Sequence, residues 1–138
     1  MKLLFLFLLG IASFFGKAQE FGGAYASPKN TYLNKLKYGV FVTDLQLNLK
    51  SDNTFVFSSC SQITTGKWSS KDGKIYLQCL EKKFIIDSLN NMEKYAKGRI
   101  CEDSIKYHVK EVDLYREDQI NEKTVKFILL KDNADPLK

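Results

Sequence analysis

From Val40 to Cys79 the chain alternates large apolar and polar residues. In Phe41-Val42-Thr43-Asp44-Leu45-Gln46-Leu47-Asn48-Leu49-Lys50 the odd positions are mainly large and apolar, and the even ones are polar from Asp44 onward. A period of two with one apolar face predicts a half-buried strand. Ser51-Asp52-Asn53 supplies turn chemistry, because Asp and Asn tolerate left-handed backbone and bond their own main chain. A second strand follows from Thr54 to Cys60, with Phe55 and Phe57 on the inner face. The chain turns near Ser61 and Gln62, and a third strand runs from about Ile63 to Ser70 through Gly66-Lys67-Trp68. Lys71-Asp72-Gly73 is the next turn, Asp-Gly being a strong hairpin signal. The fourth strand is Lys74 to Cys79, with Ile75, Leu77 and Cys79 inward. Four strands joined by short polar turns make a meander.

The flanks read less sharply. Lys83 to Leu89 predicts a fifth strand through Phe84 and Ile86, and Asn90 to Gly98 reads as either a loop or a short helix. Ser104 to Val109 alternates Ile105, Tyr107 and Val109 against Lys106, His108 and Lys110, a strand that Val112 to Arg116 continues or pairs with. After a polar stretch around Asp118 to Lys123, Thr124 to Lys131 forms a last strand. Its nearly continuous apolar character suggests burial on both sides or a place in a barrel seam. Residues 19–39 look irregular, broken by Gly22, Gly23, Pro28 and Asn30, with at most a helical turn around Thr31 to Leu36. Residues 132–138 form a polar tail. Seven or eight short strands at this spacing predict a mainly β protein, a sandwich or an up-and-down barrel over residues 40–131. A barrel has the advantage of leaving no exposed sheet edges.

The first eighteen residues stand apart. Lys2 precedes an apolar run from Leu3 to Phe15 broken only by Gly10 and Ser13, and Gly16-Lys17-Ala18 leads into polar Gln19 and Glu20. This is the pattern of a secretory signal peptide cleaved after Ala18. Thirteen apolar residues reach roughly 20 Å as a helix, short of the ~30 Å of a bilayer core. The expectation is a secreted or periplasmic protein without a membrane span after cleavage. No cysteine follows the leader closely, the first being Cys60, so a lipid anchor is not expected.

Charge and cysteine content narrow the function classes. Removing Lys2 and Lys17 with the leader lowers the formal net charge from +5 to +3. Lysines and acids are interspersed, and arginine occurs only at Arg99 and Arg116, so no basic cluster of the kind that binds nucleic acid stands out. Three cysteines, Cys60, Cys79 and Cys101, allow three pairings and leave one thiol over. Their wide spacing and the single histidine, His108, give no metal signature, and no cofactor motif is present. Cys60 and Cys79 end the second and fourth strands at one rim. With the third strand between them they lie about 9.6 Å apart, beyond the ~7 Å limit for bridging unless the rim curls. Cys101 can reach either. The expected bridge is Cys60–Cys79, with Cys101 free or exchanging.

The stretch Leu45 to Phe57, followed by Thr65-Gly66-Lys67-Trp68 and Lys74-Ile75-Tyr76-Leu77, resembles small secreted lipocalin-like β-barrel proteins of bacterial envelopes. These include the barrel of copper-resistance outer-membrane lipoproteins. The likeness covers roughly residues 39–80. The lipid-anchoring cysteine and Cys-x-x-Cys element of the copper-resistance members are absent here, so the resemblance carries the fold and no metal function. It implies Trp68 as the floor of a ligand cavity. Read by itself, Trp68 plugs the barrel end, with Gly66 giving the backbone room to bend. An eight-stranded barrel either fills with side chains or holds one small ligand. Phe55, Phe57, Trp68, Ile75, Leu77, Tyr107 and Phe127 line that interior in both cases.

Catalysis finds little support. His108 shares the polar face of its strand with Lys106 and Lys110, and nothing places a nucleophile or an orienting acid beside it. Asp87, Glu93, Glu102 and Asp103 show no paired spacing. Two expectations remain: a module holding a small apolar ligand, or a protein–protein interaction module, of the inhibitor or immunity type, with a filled barrel. The partner is then either that ligand or an envelope protein.

Overall fold

The computed structural model describes residues 20–38, 44–102 and 104–132. The predicted leader, the first residues of the predicted strand at 40–43 and nearly all of the predicted tail lie outside them. The elements in chain order are β1 (Gly23–Ala26), α1 (Tyr32–Tyr38), β2 (Gln46–Leu49), β3 (Thr54–Ser58), β4 (Gln62–Lys71) and β5 (Lys74–Phe84). There follow α2 (Asp87–Asn90), a 3₁₀ helix (Glu93–Arg99), β6 (Ile105–Lys110), β7 (Asp113–Ile120) and β8 (Lys123–Lys131). Each strand pairs antiparallel with the next, and β1 pairs with both β2 and β8, so the sheet closes into an eight-stranded up-and-down barrel. No helix among the described residues is long and apolar enough to cross a membrane.

Turn chemistry sets the meander. Asp72 and Gly73 (φ 52° and 69°) join β4 to β5, and Asn121 and Glu122 (φ 48° and 64°) join β7 to β8. Two central residues with positive φ match the right-handed twist of the flanking strands. Between β2 and β3 the Asp52 carboxylate accepts bonds from the Thr54 hydroxyl (2.6 Å) and amide (3.0 Å). These two bonds, the hydroxyl first, hold its pKa below the ordinary carboxylate value.

One departure concerns the seam. The segment expected to be irregular contains β1, which closes the barrel through Tyr25↔Leu47 on one side and Tyr25↔Lys131 on the other. Gly23-Ala24-Tyr25-Ala26 is too short and too poor in large residues to show a period, and its strand geometry comes from two flanking ladders. The helical turn expected at Thr31 to Leu36 is the seven-residue α1.

A second departure concerns β5. The predicted fourth strand runs on to Phe84, so that only Lys83 and Phe84 of the predicted fifth are strand and Asp87 to Leu89 belong to α2, and a bulge opposite Thr65/Gly66 inserts Leu80. The extra residue switches the side-chain parity, so that Leu80 is exposed while Lys82 and Phe84 turn to the partly buried face. Gly66 is required at this crossing, because a Cβ there would lie 1.9 Å from the Gln78 carbonyl oxygen and 2.9 Å from the Phe55 ring.

The core is one cluster, including Tyr25, Leu47, Leu49, Phe55, Trp68, Ile75, Leu77, Tyr107, Leu114, Phe127 and Leu129. Each fully buried large side chain contributes about 1.5–3 kcal/mol. Trp68 seals the end that carries the β2–β3, β4–β5 and β6–β7 turns. Its indole Nε1–H donates to the Lys50 carbonyl (2.9 Å) and its amide donates to the Asn53 carbonyl (2.8 Å), tying the strand to the β2–β3 turn.

The disulfide joins Cys79 to Cys101, with the Cα atoms 5.5 Å apart, and the exposed Cys60 keeps a free thiol. The expected Cys60–Cys79 bridge is corrected by the length of β5. Cys60 lies at the β3–β4 turn beside Gln62, whose ladder partner is Phe84, whereas Cys79 stands opposite Gly66. Five residues of strand, about 16 Å, separate Cys79 from that rim. The bridge closes a separation of 22 residues, worth about 3 kcal/mol in the chain-entropy account.

Candidate functional site: the mouth of the barrel

The end of the barrel opposite Trp68 is built differently. β6 starts at Ile105 and meets β7 only through His108↔Tyr115, Val109↔Leu114 and Lys110↔Asp113. β7 runs on to Ile120, paired only with β8. Continuing the register would set Tyr107 opposite Arg116 and Ile105 opposite Asp118, but the strands part there. A cavity of about 620 Å³ opens in the wedge. Ile105, Lys106 and His108 of β6 and the preceding Glu102 and Ser104 form one wall, and Tyr115 through Asp118 of β7 form the other.

Two charged residues of β7 take inward positions. Arg116 and Asp118 share the parity of buried Leu114, and their ladder partners Phe127 and Val125 belong to or pack against the core. Arg116 bonds Asp118 at 2.8 Å, and its guanidinium carbon lies 4.4 Å from the Phe127 ring centroid and 5.2 Å from that of Tyr107. Guanidinium over aromatic faces is a favourable contact for a cation held away from water. Two donors nevertheless remain unsatisfied among the described residues, Arg116 Nε and Tyr107 Oη, both buried. Burial pushes the Tyr107 pKa up, Arg116 opposing and Asp118 adding to the effect. Buried polar atoms without partners are uncommon and point to water or a ligand.

The outer wall of the wedge is a short polar network. Tyr115 Oη donates to Glu117, which raises the Tyr115 pKa, and Lys126 Nζ lies 3.7 Å from the same carboxylate. On the other side the Cys79–Cys101 bridge holds the chain just before β6 against β5, and Glu102 pairs at 3.9 Å with Lys82. Above it, Gln62 Nε2 donates to the Gly98 carbonyl (2.7 Å), and Asn90 makes two bonds to the Phe84 main chain (2.8 and 3.0 Å), docking the α2 and 3₁₀ segment on the rim.

The seven residues expected to line the barrel interior are all brought together. Phe55, Trp68, Ile75, Leu77, Tyr107 and Phe127 belong to the buried cluster, and Phe57 packs against it. None of them lines the wedge cavity. His108, read as a surface residue, is exposed on the wedge wall. Of the acids, Glu102 lines the wedge, Asp87 starts α2 and Glu93 starts the 3₁₀ helix, while Asp103 lies outside the described residues. Among the described residues, no group of three or more His, Cys, Asp or Glu is placed to hold a metal ion.

Arg116 and Asp118 are the site residues that the pattern reading missed. The signal was present, since Leu114, Arg116 and Asp118 fall on one parity and place two charges on an inward face. No family model, curated protein or solved structure matches the chain. The fold class rests on the closed ladder itself.

Proposed function

We propose that this protein is a secreted, lipocalin-like binding module that acts as a protein–protein interaction domain, its barrel packed for stability and its mouth serving as the working surface. The packing supports this reading over carriage of a small apolar ligand, because the side chains that such a ligand would touch contact one another in a single cluster. The single observation that carries it is the location of the open space. The wedge cavity lies at the parting of β6 and β7, lined by charged and polar groups and floored by Arg116. Binding is favoured over catalysis because no hydrogen bond among the described residues joins His108 to Ser104 or to a carboxylate. The leader-like pattern of residues 1–18 supports export, and the Cys79–Cys101 disulfide suits an oxidising compartment.

Native mass spectrometry of the protein recovered from its own host tests the reading. The expected mass is that of the chain without its leader and without a bound small molecule. A retained apolar adduct that leaves on mild activation would return the protein to the carrier class.

A further inference from the structure

β7 has partners on both sides for only part of its length. Asp113 to Tyr115 pair with β6 while Leu114 to Ile120 pair with β8. From Arg116 to Ile120 no strand among the described residues pairs with the β6 side, which leaves about 17 Å of strand edge whose first three residues line the wedge cavity. Unpaired main-chain donors and acceptors in a sheet are a template for another strand. The other parting, along β5 beyond Leu77, is crossed by the segment that Cys101 ties to Cys79. No such covalent tie holds the β7 edge.

We propose that an extended segment of another protein adds a strand to the Arg116–Ile120 edge, with an acceptor-bearing side chain (Asp, Glu, Asn or Gln) turned inward to Arg116 Nε and Tyr107 Oη. This rests on the mouth being the working surface. In strand addition the main-chain bonds give affinity and pockets for alternate side chains give specificity. The register supplies such an alternation here. A residue opposite Arg116 lies on the inward face, as Phe127 does from the β8 side, and meets two buried donors that have no acceptor. A charge turned inward at an edge also discourages indiscriminate pairing. An acceptor on the incoming strand meets that condition where an apolar segment fails it. A second copy of this chain fits poorly. In the antiparallel register that uses the whole edge, Asp118 faces Asp118, and like charges directly opposite destabilise a pair.

The test uses the disulfide-bonded protein to select from a displayed library of random segments of about nine residues, long enough to cover the edge. The enriched segment is then synthesised. On binding, the alternate amides of the Arg116–Ile120 stretch that point away from β8 should gain roughly tenfold or more in hydrogen-exchange protection, while those already bonded to β8 change little. N-methylation of alternate peptide nitrogens should weaken binding by roughly tenfold in one phase and hardly at all in the other. Tyr107→Phe, which keeps the ring and removes the donor, should lower affinity roughly threefold to tenfold without moving the thermal midpoint. An enriched segment that protects another face overturns the strand-addition proposal and leaves the interaction reading standing. A selection that enriches nothing overturns both. Unchanged affinity in Tyr107→Phe overturns the bond from the incoming acceptor to Tyr107 Oη and assigns that hydroxyl to buried water.

Discussion

The two ends of this barrel solve the problem of closure in opposite ways. At one end the strands are joined by turns of a few residues, and Trp68 fills the space beneath, its indole bonded to the Lys50 carbonyl. At the other, β6 and β7 part, a disulfide and two short helical segments bridge the gap beside β5, and charged side chains occupy inward positions. The first end is built from contacts that any small barrel needs. The second keeps a half-buried cation and two buried, unsatisfied donors, a costly arrangement that a purely structural end can avoid with apolar side chains. The difference locates stability at one end and binding at the other.

Three variants sharpen or break that contrast. The largest effect is expected from Gly66→Val, on the filled side. With a Cβ placed 1.9 Å from the Gln78 carbonyl oxygen, the β4–β5 ladder cannot keep its register. Loss of the folded state, or more than ~4 kcal/mol in urea unfolding, is the expected outcome. A cost under ~1 kcal/mol would show that the crossing of β4 and β5 is not tight.

Next is the paired change Cys79→Ser with Cys101→Ser, expected to cost about 3 kcal/mol. Its diagnostic feature is spatial. Hydrogen exchange should speed up around residues 100–106 while the Trp68 end keeps its protection. Uniform loosening at both ends would mean that the bridge supports the whole barrel and that the ends are not separable.

The smallest effect is expected from Arg116→Leu combined with Asp118→Leu. Replacing both members of a partly buried ion pair with apolar groups is often neutral or stabilising, so the free energy of unfolding in urea should hold or rise by about 1 kcal/mol. A fall of more than ~2 kcal/mol would make the mouth charges structural and remove the contrast.

Much of the barrel was legible in the chain. The alternation of Leu45, Leu47 and Leu49 with Gln46 and Asn48, and the turn signals at Asp52-Asn53 and Asp72-Gly73, act over a few residues and are written locally. The site was less legible. Arg116 and Asp118 are ordinary strand residues until β6 stops pairing with β7. β1 was hidden because Gly23-Ala24-Tyr25-Ala26 has one large side chain and draws its geometry from Leu47 on one side and Lys131 on the other. The cysteine pairing misled for a related reason. A bulge at Leu80 carries β5 past Cys79, and bulges are set by how strands fit against each other.

By itself, then, the sequence determined the β character of the protein, the order of its strands through the meander and the set of apolar side chains that fill it, since side-chain period and turn preference are short-range properties. The tertiary structure alone decided where the barrel closes, which cysteine meets Cys79 and where the wall parts to expose Arg116. Those features depend on register and on residues distant in sequence, and no local pattern encodes the point at which one ladder ends before its neighbour.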